Sequence, residues 1–181
     1  MKELSLNILD IAKNSVVAGA KNIDISLVTG SDGMLTLTIK DDGCGMSEET
    51  VQNVTNPFYT TRKTRKVGLG LPLLKLAAEQ TGGYLKLASS KDAHDHGTTV
   101  EALFDTKSID FMPIGDIIST VCILIAGSPE IDFHFSDISE KKSVSLNTRE
   151  LREVLGDGIS LAEPEVQIWI GEYLKEQYEQ A

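Results

Sequence analysis

The chain has 181 residues, 41% hydrophobic and 24% charged, with a formal net charge of −10; that is one domain, or one domain plus a substantial appendage, with enough chain for a proper core. The charge is uneven, with 12 basic and 13 acidic side chains in residues 1 to 107 against 5 and 14 in residues 108 to 181. Outside a short basic run at 62 to 66 nothing can neutralise a phosphate polymer, which argues against nucleic acid as the main partner, and the longest apolar run, Ile117 to Ala126, is too short to span a bilayer. Cys44 and Cys122 stand far apart in unrelated contexts and read as free thiols in a reducing compartment. With no cationic and apolar leader at the start, a cytoplasmic protein is expected.

Residues 3 to 18 have helical period, with Leu4, Ile8, Ile11 and Ser15 on one stripe. Asn7, Asp10 and Asn14 follow at steps of three and four on another. A solvated face is the ordinary reading of such a stripe, but this one lacks the Lys and Glu pairs that solvated faces carry. A carboxylate and a carboxamide so placed can share a cation or polarise a water. Ile23, Ile25 and Leu27, then Leu35, Leu37 and Ile39, alternate as two strands around a turn at 30 to 33, which predicts an antiparallel hairpin. It runs into Asp41-Asp42-Gly43-Cys44-Gly45-Met46, an acidic strand end followed by glycines that let backbone approach a ligand.

Ser47 can cap a short helix carrying Glu48 and Glu49 in its first turn, and Pro57 stops it. Arg62, Lys63, Arg65 and Lys66 stand just ahead of Gly68 and Gly70, where an apolar helical pattern begins and continues to about Gln80. Cations and exposed N–H groups at a helix start make an anion site. Two further strands, around Tyr84 to Leu87 and Val100 to Phe104, flank a loop ending in His96-Gly97-Thr98-Thr99. His94 and His96 with Asp92 and Asp95 read as a polar loop rather than a metal site. Four strands and three helices in about 105 residues predict an α+β, two-layer sandwich with a mixed sheet and helices on one face.

In this order, Asp10-x-x-x-Asn14, Asp41-x-Gly43-x-Gly45, Asn56-Pro57-Phe58 with Thr60-Thr61-Arg62-Lys63, Gly68-Leu69-Gly70-Leu71 and Gly97-Thr98-Thr99 resemble the five sequence boxes of the GHKL ATPases: gyrase B, Hsp90, sensor histidine kinases and MutL. The resemblance covers residues 1 to about 106 and implies the Bergerat ATP-binding fold. It implies that Asn14 holds Mg²⁺ through its side-chain oxygen and that Asp41 accepts a hydrogen bond from the adenine amino group, with Gly43 in the same box and Gly45 and Thr99 beside the base. Gly68 and Gly70, followed by Leu71, would offer N–H groups to the phosphates of ATP, which Lys63 and its neighbours would neutralise. The general base of the hydrolysing members is a Glu; here it is Asp10, one methylene shorter. Misplacement of about an ångström can cost about a hundredfold in rate, so hydrolysis is expected to be slow. No Walker P-loop pattern occurs.

Residues 108 to 181 lie outside these boxes and read as an acidic mixed helix and strand extension, separate from a 1 to 107 nucleotide-binding domain. Pro113 is expected to open an apolar helix. Ile131, Phe133 and Phe135 alternate as a strand with which Val144 and Leu146 can pair, Asn147 can cap a helix to Leu155, and a last helix starts at Pro164. The resemblance thus implies an ATP- and Mg²⁺-binding, histidine-kinase-like protein that passes the γ-phosphoryl to a separate partner protein or hydrolyses ATP slowly. The alternative is a nucleotide-dependent interaction switch of the anti-sigma type with little catalysis. A protein partner meeting the extension, a homodimer, and no nucleic acid or membrane complete the expectation.

Overall fold

A computed structural model describes residues 3–55, 69–156 and 158–181. Its elements run α1 (Leu4–Val17), β1 (Asn22–Thr29), β2 (Met34–Asp41), α2 (Glu48–Asn53), α3 (Gly70–Gln80), β3 (Tyr84–Ser90), β4 (Gly97–Asp105), α4 (Ile117–Gly127), β5 (Asp132–Ile138), β6 (Ser143–Asn147), α5 (Thr148–Leu155) and α6 (Pro164–Glu179). The six strands form one mixed sheet in the order β3-β4-β2-β1-β5-β6. β1 pairs antiparallel with β2, as the hairpin pattern predicts, and parallel with β5.

Register sets which face is buried. Ile25 lies opposite Ile39 on one side and Phe135 on the other, and Ile39 opposite Val100; all four are buried. Side chains alternate with period two, so one face of the sheet carries this apolar array, to which Leu37 and Phe104 also belong. Each such fully buried side chain contributes about 2 kcal/mol of burial free energy. The opposite face presents polar side chains such as Asp24, Lys40 and His134, as an antiparallel sheet solvated on one side does. α1 packs between α3 and α4, and α4 between α1 and α6. Their contributions, among them Ile8 and Ile11, Leu74, Leu124 and Ile125, Ile170 and Leu174, join the strand residues in one continuous core.

Helix ends follow from local chemistry. α1 and α3 both close with a Schellman pattern at a left-handed glycine: Gly19 N–H donates to Val16 O and Ala20 N–H to Ser15 O, while Gly82 N–H donates to Glu79 O and Gly83 N–H to Ala78 O. At its start α1 has no side-chain cap. Its Leu4 and Ser5 amides donate instead to Pro113 O and Ile114 O, at 3.0 and 2.8 Å. Pro113 therefore lies in the connector that seats α1, and α4 opens later on Asp116, whose side chain accepts from the Ser119 amide. The ring of Pro113 supplies no N–H, and its free carbonyl finds the α1 donors.

β5 and β6 continue the sheet beyond β1, with α6 packed on β6 and α5 on β5. Asn147 caps α5 as its sequence predicts. At the outer edge, the Gln177 carboxamide accepts from Ser145 N–H and donates to Ser145 O, both at 3.0 Å, replacing two of the pairings a further strand would make. No described helix is long and apolar enough to cross a membrane.

Candidate functional site

β2 ends on Asp41, which faces the helix layer and is 8% exposed. A carboxylate so buried requires donors. Ser15 Oγ donates to its Oδ2 at 2.6 Å, and Gly43 N–H to its Oδ1 at 2.9 Å. Ser15 belongs to the stripe of α1 that the sequence presents as apolar, and it is 4% exposed. Its neighbour Asn14 and, one turn earlier, Asp10 stand on the same helix. Asp10 reaches the first residue of α3: a Cβ added at Gly70 would run into Asp10 Oδ2. One helix thus connects the Asp41 carboxylate to the start of α3, and the glycine is what leaves room for the acid.

The start of α3 has no side-chain cap, and Pro72 brings no N–H of its own. Among the described residues no side chain caps the amides of Gly70 and Leu71, and amides at a helix start suit anions. Leu71 itself is 9% exposed and contributes its side chain to the core.

The loop after Asp41 is tied down on three sides. Gly43 packs against Ala18, and Cys44 N–H donates to Ala18 O at 2.9 Å. Gly45 takes φ +66°, and a Cβ there would meet the carbonyl of Ser90, so only glycine fits. Met46 N–H donates to Ser89 Oγ, which also contacts Thr98 Oγ1, and His96 Nδ1 bonds Gly43 O, each at 2.8 Å. His96 is thereby part of the loop's support. Among the described residues no group of three His, Cys, Asp or Glu converges as a metal site.

Asp42 points the other way and holds the strand ends together, accepting from the Lys21 and Asn22 amides and from Asn22 Nδ2 at 2.7, 2.9 and 2.7 Å. Partial burial pushes its carboxyl upward, but the Asn22 side chain and the neighbouring amides outweigh that and hold it below the ordinary carboxylate range.

Of the expected residues, Asp10, Asn14, Asp41, Gly43, Gly45, Gly70 and Leu71 therefore gather around α1, the end of β2 and the start of α3. Thr99 does not join them: it pairs with Lys40, whereas Thr98 pairs with Asp41. Alternation puts Thr99 on the opposite face of the sheet and Thr98 beside the loop. Val100, Ala102 and Phe104 already mark the even positions as inward, so the pattern that would have selected Thr98 is present in the sequence. Lys63 and Gly68 fall outside the described residues, as does the Asn56-Pro57-Phe58 segment. Ser15 had no motif to mark it.

The Ser15 contact makes a first prediction. Ser15→Ala removes a charge-assisted donor worth about 1.5 kcal/mol or more and frees the Asp41 rotamer. The affinity for ATP that the resemblance implies should fall about tenfold by titration calorimetry, with the far-ultraviolet circular dichroism unchanged.

An α+β sandwich with a carboxylate at a glycine-rich strand end, an amide-bearing helix and an uncapped helix start defines a class of ligand-binding domain. The chain belongs to the family of histidine kinase-, DNA gyrase B- and HSP90-like ATPases, whose model matches residues 1–108. Among curated proteins it is 31% identical over 86 residues to the sensor histidine kinase CpxA of Escherichia coli, covering 45% of this chain and 19% of CpxA. It is likewise 31% identical over 90 residues to sporulation kinase C of Bacillus subtilis, covering 49% and 20%. The matched part is thus about half of this chain and about a fifth of each kinase. In fold it resembles the Aquifex aeolicus MutL ATPase domain complexed with ADP, at TM-score 0.54 and 16% identity over 86% of this chain and 69% of that one. It also resembles the N-terminal domain of a DNA repair protein, at TM-score 0.57 and 14% identity over 87% and 58%.

Proposed function

We propose that the chain binds ATP with Mg²⁺ and either transfers the γ-phosphoryl to a separate protein or hydrolyses it slowly, as a cytoplasmic histidine-kinase-like module. The observation that carries this reading is the double use of α1: Ser15 holds the Asp41 carboxylate while Asp10, on the same helix, abuts Gly70. Asp41 is then the acceptor for the adenine amino group, with Gly43, Gly45 and Thr98 around the base. Gly70 and Leu71 offer amides to the phosphates, with Gly68 and Lys63 assigned to the same end by sequence.

Asn14 lies one turn beyond Asp10, and its carboxamide oxygen would hold Mg²⁺. The fit is chemical: a hard-oxygen donor, with no cage of acids among the described residues, suits an ion that keeps waters and takes its other ligands from phosphates. Such an ion neutralises charge on the phosphates. Asp10 orients a water or an incoming hydroxyl or imidazole, a task for which its reach is short, and positioning dominates phosphoryl transfer.

Phosphate release from γ-labelled ATP by the purified chain tests this. Slow release is expected, falling about a hundredfold in Asp10→Asn while ADP affinity holds. Absent release, transfer of the label to a protein in cell lysate separates a kinase from a switch. Neither release nor transfer, with ATP still bound, would refute catalysis.

The switch reading has its own support. The connector after β4 caps the start of α1 through Pro113 O and Ile114 O. On the other side Arg149 of α5 donates to Asn22 Oδ1 at 2.7 Å, and Asn22 in turn holds Asp42. Both ends of the nucleotide region are thus tied to the segment beyond residue 108, through which a partner would sense the bound nucleotide.

A further inference from the structure

α6 buries Val166, Ile170 and Leu174 against the molecule. Its outward side is not simply solvated. Trp169 and Tyr173, one turn apart, stack with ring centroids 5.0 Å apart and planes inclined by 10°, yet they remain 47% and 37% exposed. Large apolar side chains of this kind, stiff and already stacked, lose little entropy on contact and are enriched at protein interfaces.

Their surroundings select the partner. Glu165 lies one turn before Trp169, Glu172 three residues after it, and Glu176 three residues after Tyr173, the spacings at which helix side chains are neighbours. None of these three has a cation within ion-pair distance among the described residues; the one ion pair along the helix joins Lys175 to Glu179. The wider segment, 108 to 181, carries 14 acids against 5 bases. A second copy would bring the same carboxylates against these, and anionic lipid or nucleic acid would be repelled in the same way.

We propose that the outward face of α6 is a docking surface for a basic amphipathic protein segment, which places an apolar anchor on the Trp169–Tyr173 stack and Lys or Arg side chains against Glu165, Glu172 and Glu176. This surface is separate from the nucleotide site, and its test uses no nucleotide, so either assignment can fail without the other.

Trp169 is the sole tryptophan of the chain, so its emission reports on this face alone. An amphipathic helical peptide of leucine and lysine is the probe, and the same pattern with glutamate replacing lysine is the control. The basic peptide should shift Trp169 emission to the blue saturably, with affinity falling as salt rises, and the acidic one should leave it unchanged. By anisotropy of a fluorescein-labelled basic peptide, Trp169→Ala/Tyr173→Ala should weaken binding about tenfold or more, and Glu172→Lys/Glu176→Lys by a similar factor. Both pairs are on the exposed side, so circular dichroism should stay unchanged. Equal binding of the two peptides, or full affinity in the aromatic double variant, would overturn the proposal. So would a concentration-dependent blue shift of the protein alone accompanied by a doubled mass in sedimentation, which would give the face to a second copy.

Discussion

Asp41→Asn should lower nucleotide affinity by about a hundredfold, the equivalent of one hydrogen bond to a charged acceptor at roughly 2 to 3 kcal/mol, while the chain stays folded. The reason lies in the donors already present. Gly43 N–H can only donate, so the oxygen of the substituted carboxamide must take the Oδ1 place, 2.9 Å away in the parent. The amide nitrogen then occupies the Oδ2 place, where the Ser15 hydroxyl can rotate to accept from it instead of donating. Internal satisfaction survives, so stability does too. Lost are the charge and one acceptor oxygen, and on the proposed assignment the exocyclic amino group of adenine would meet a donor where it needs an acceptor. Titration calorimetry with ADP and thermal unfolding without nucleotide separate the two effects. Unchanged affinity in a folded variant would remove Asp41 from the base-binding role.

The same geometry explains what could be read from sequence. Strand and helix identities followed from period, and the glycines at 43, 45 and 70 from the ends of those elements, because each records a purely local constraint. Ser15 was hidden: its spacing matches Ile8 and Ile11, and nothing local says that the side chain opposite is a carboxylate 26 residues on. The face of Thr99 was a matter of parity, where a displacement of one residue exchanges the two sides of a sheet. The place of β5 beside β1 is non-local in the same sense. Alternation at Phe133 and Phe135 predicts a strand, but its parallel pairing with a strand more than a hundred residues earlier is decided by which edge of the sheet remains open once β2 has taken the other. Likewise Pro113 has the look of a helix start, and only the uncapped α1 amides explain why it serves a different helix.

Lys142→Met should cost about 2 to 3 kcal/mol of stability and lower the melting temperature by roughly 5 to 10 °C. Asp137 lies on the helix-facing side of β5 with its side chain 2% exposed, and Lys142, at 24%, is its ion-pair partner at 2.7 Å. Tyr178 at the end of α6 donates to the same oxygen, Oδ2, at 2.8 Å, and Oδ1 has no partner among the described residues. Removing the lysine leaves a buried charge with one neutral donor. The estimate stands below the full cost of breaking a buried pair because Lys142 is partly solvated. The double variant Asp137→Asn/Lys142→Met leaves no orphaned charge and should recover to within about 1 kcal/mol of the parent; a double variant less stable than Lys142→Met would mean that the pair is not the unit. Tyr178 adds a dependence on pH. Burial and the adjacent Asp137 carboxylate hold its hydroxyl well above the ordinary tyrosine value. Unfolding releases it to ionise near pH 10. The unfolded chain then binds fewer protons than the native one, so stability is fully present below about pH 10 and declines above it by up to about 1.4 kcal/mol per pH unit. Tyr178→Phe removes that ionisation. Its urea midpoints, lower than the parent's at neutral pH for want of the Asp137 bond, should fall less steeply between pH 9.5 and 11 than the parent's do, roughly the span over which an unperturbed tyrosine titrates; parallel curves would place the alkaline sensitivity elsewhere.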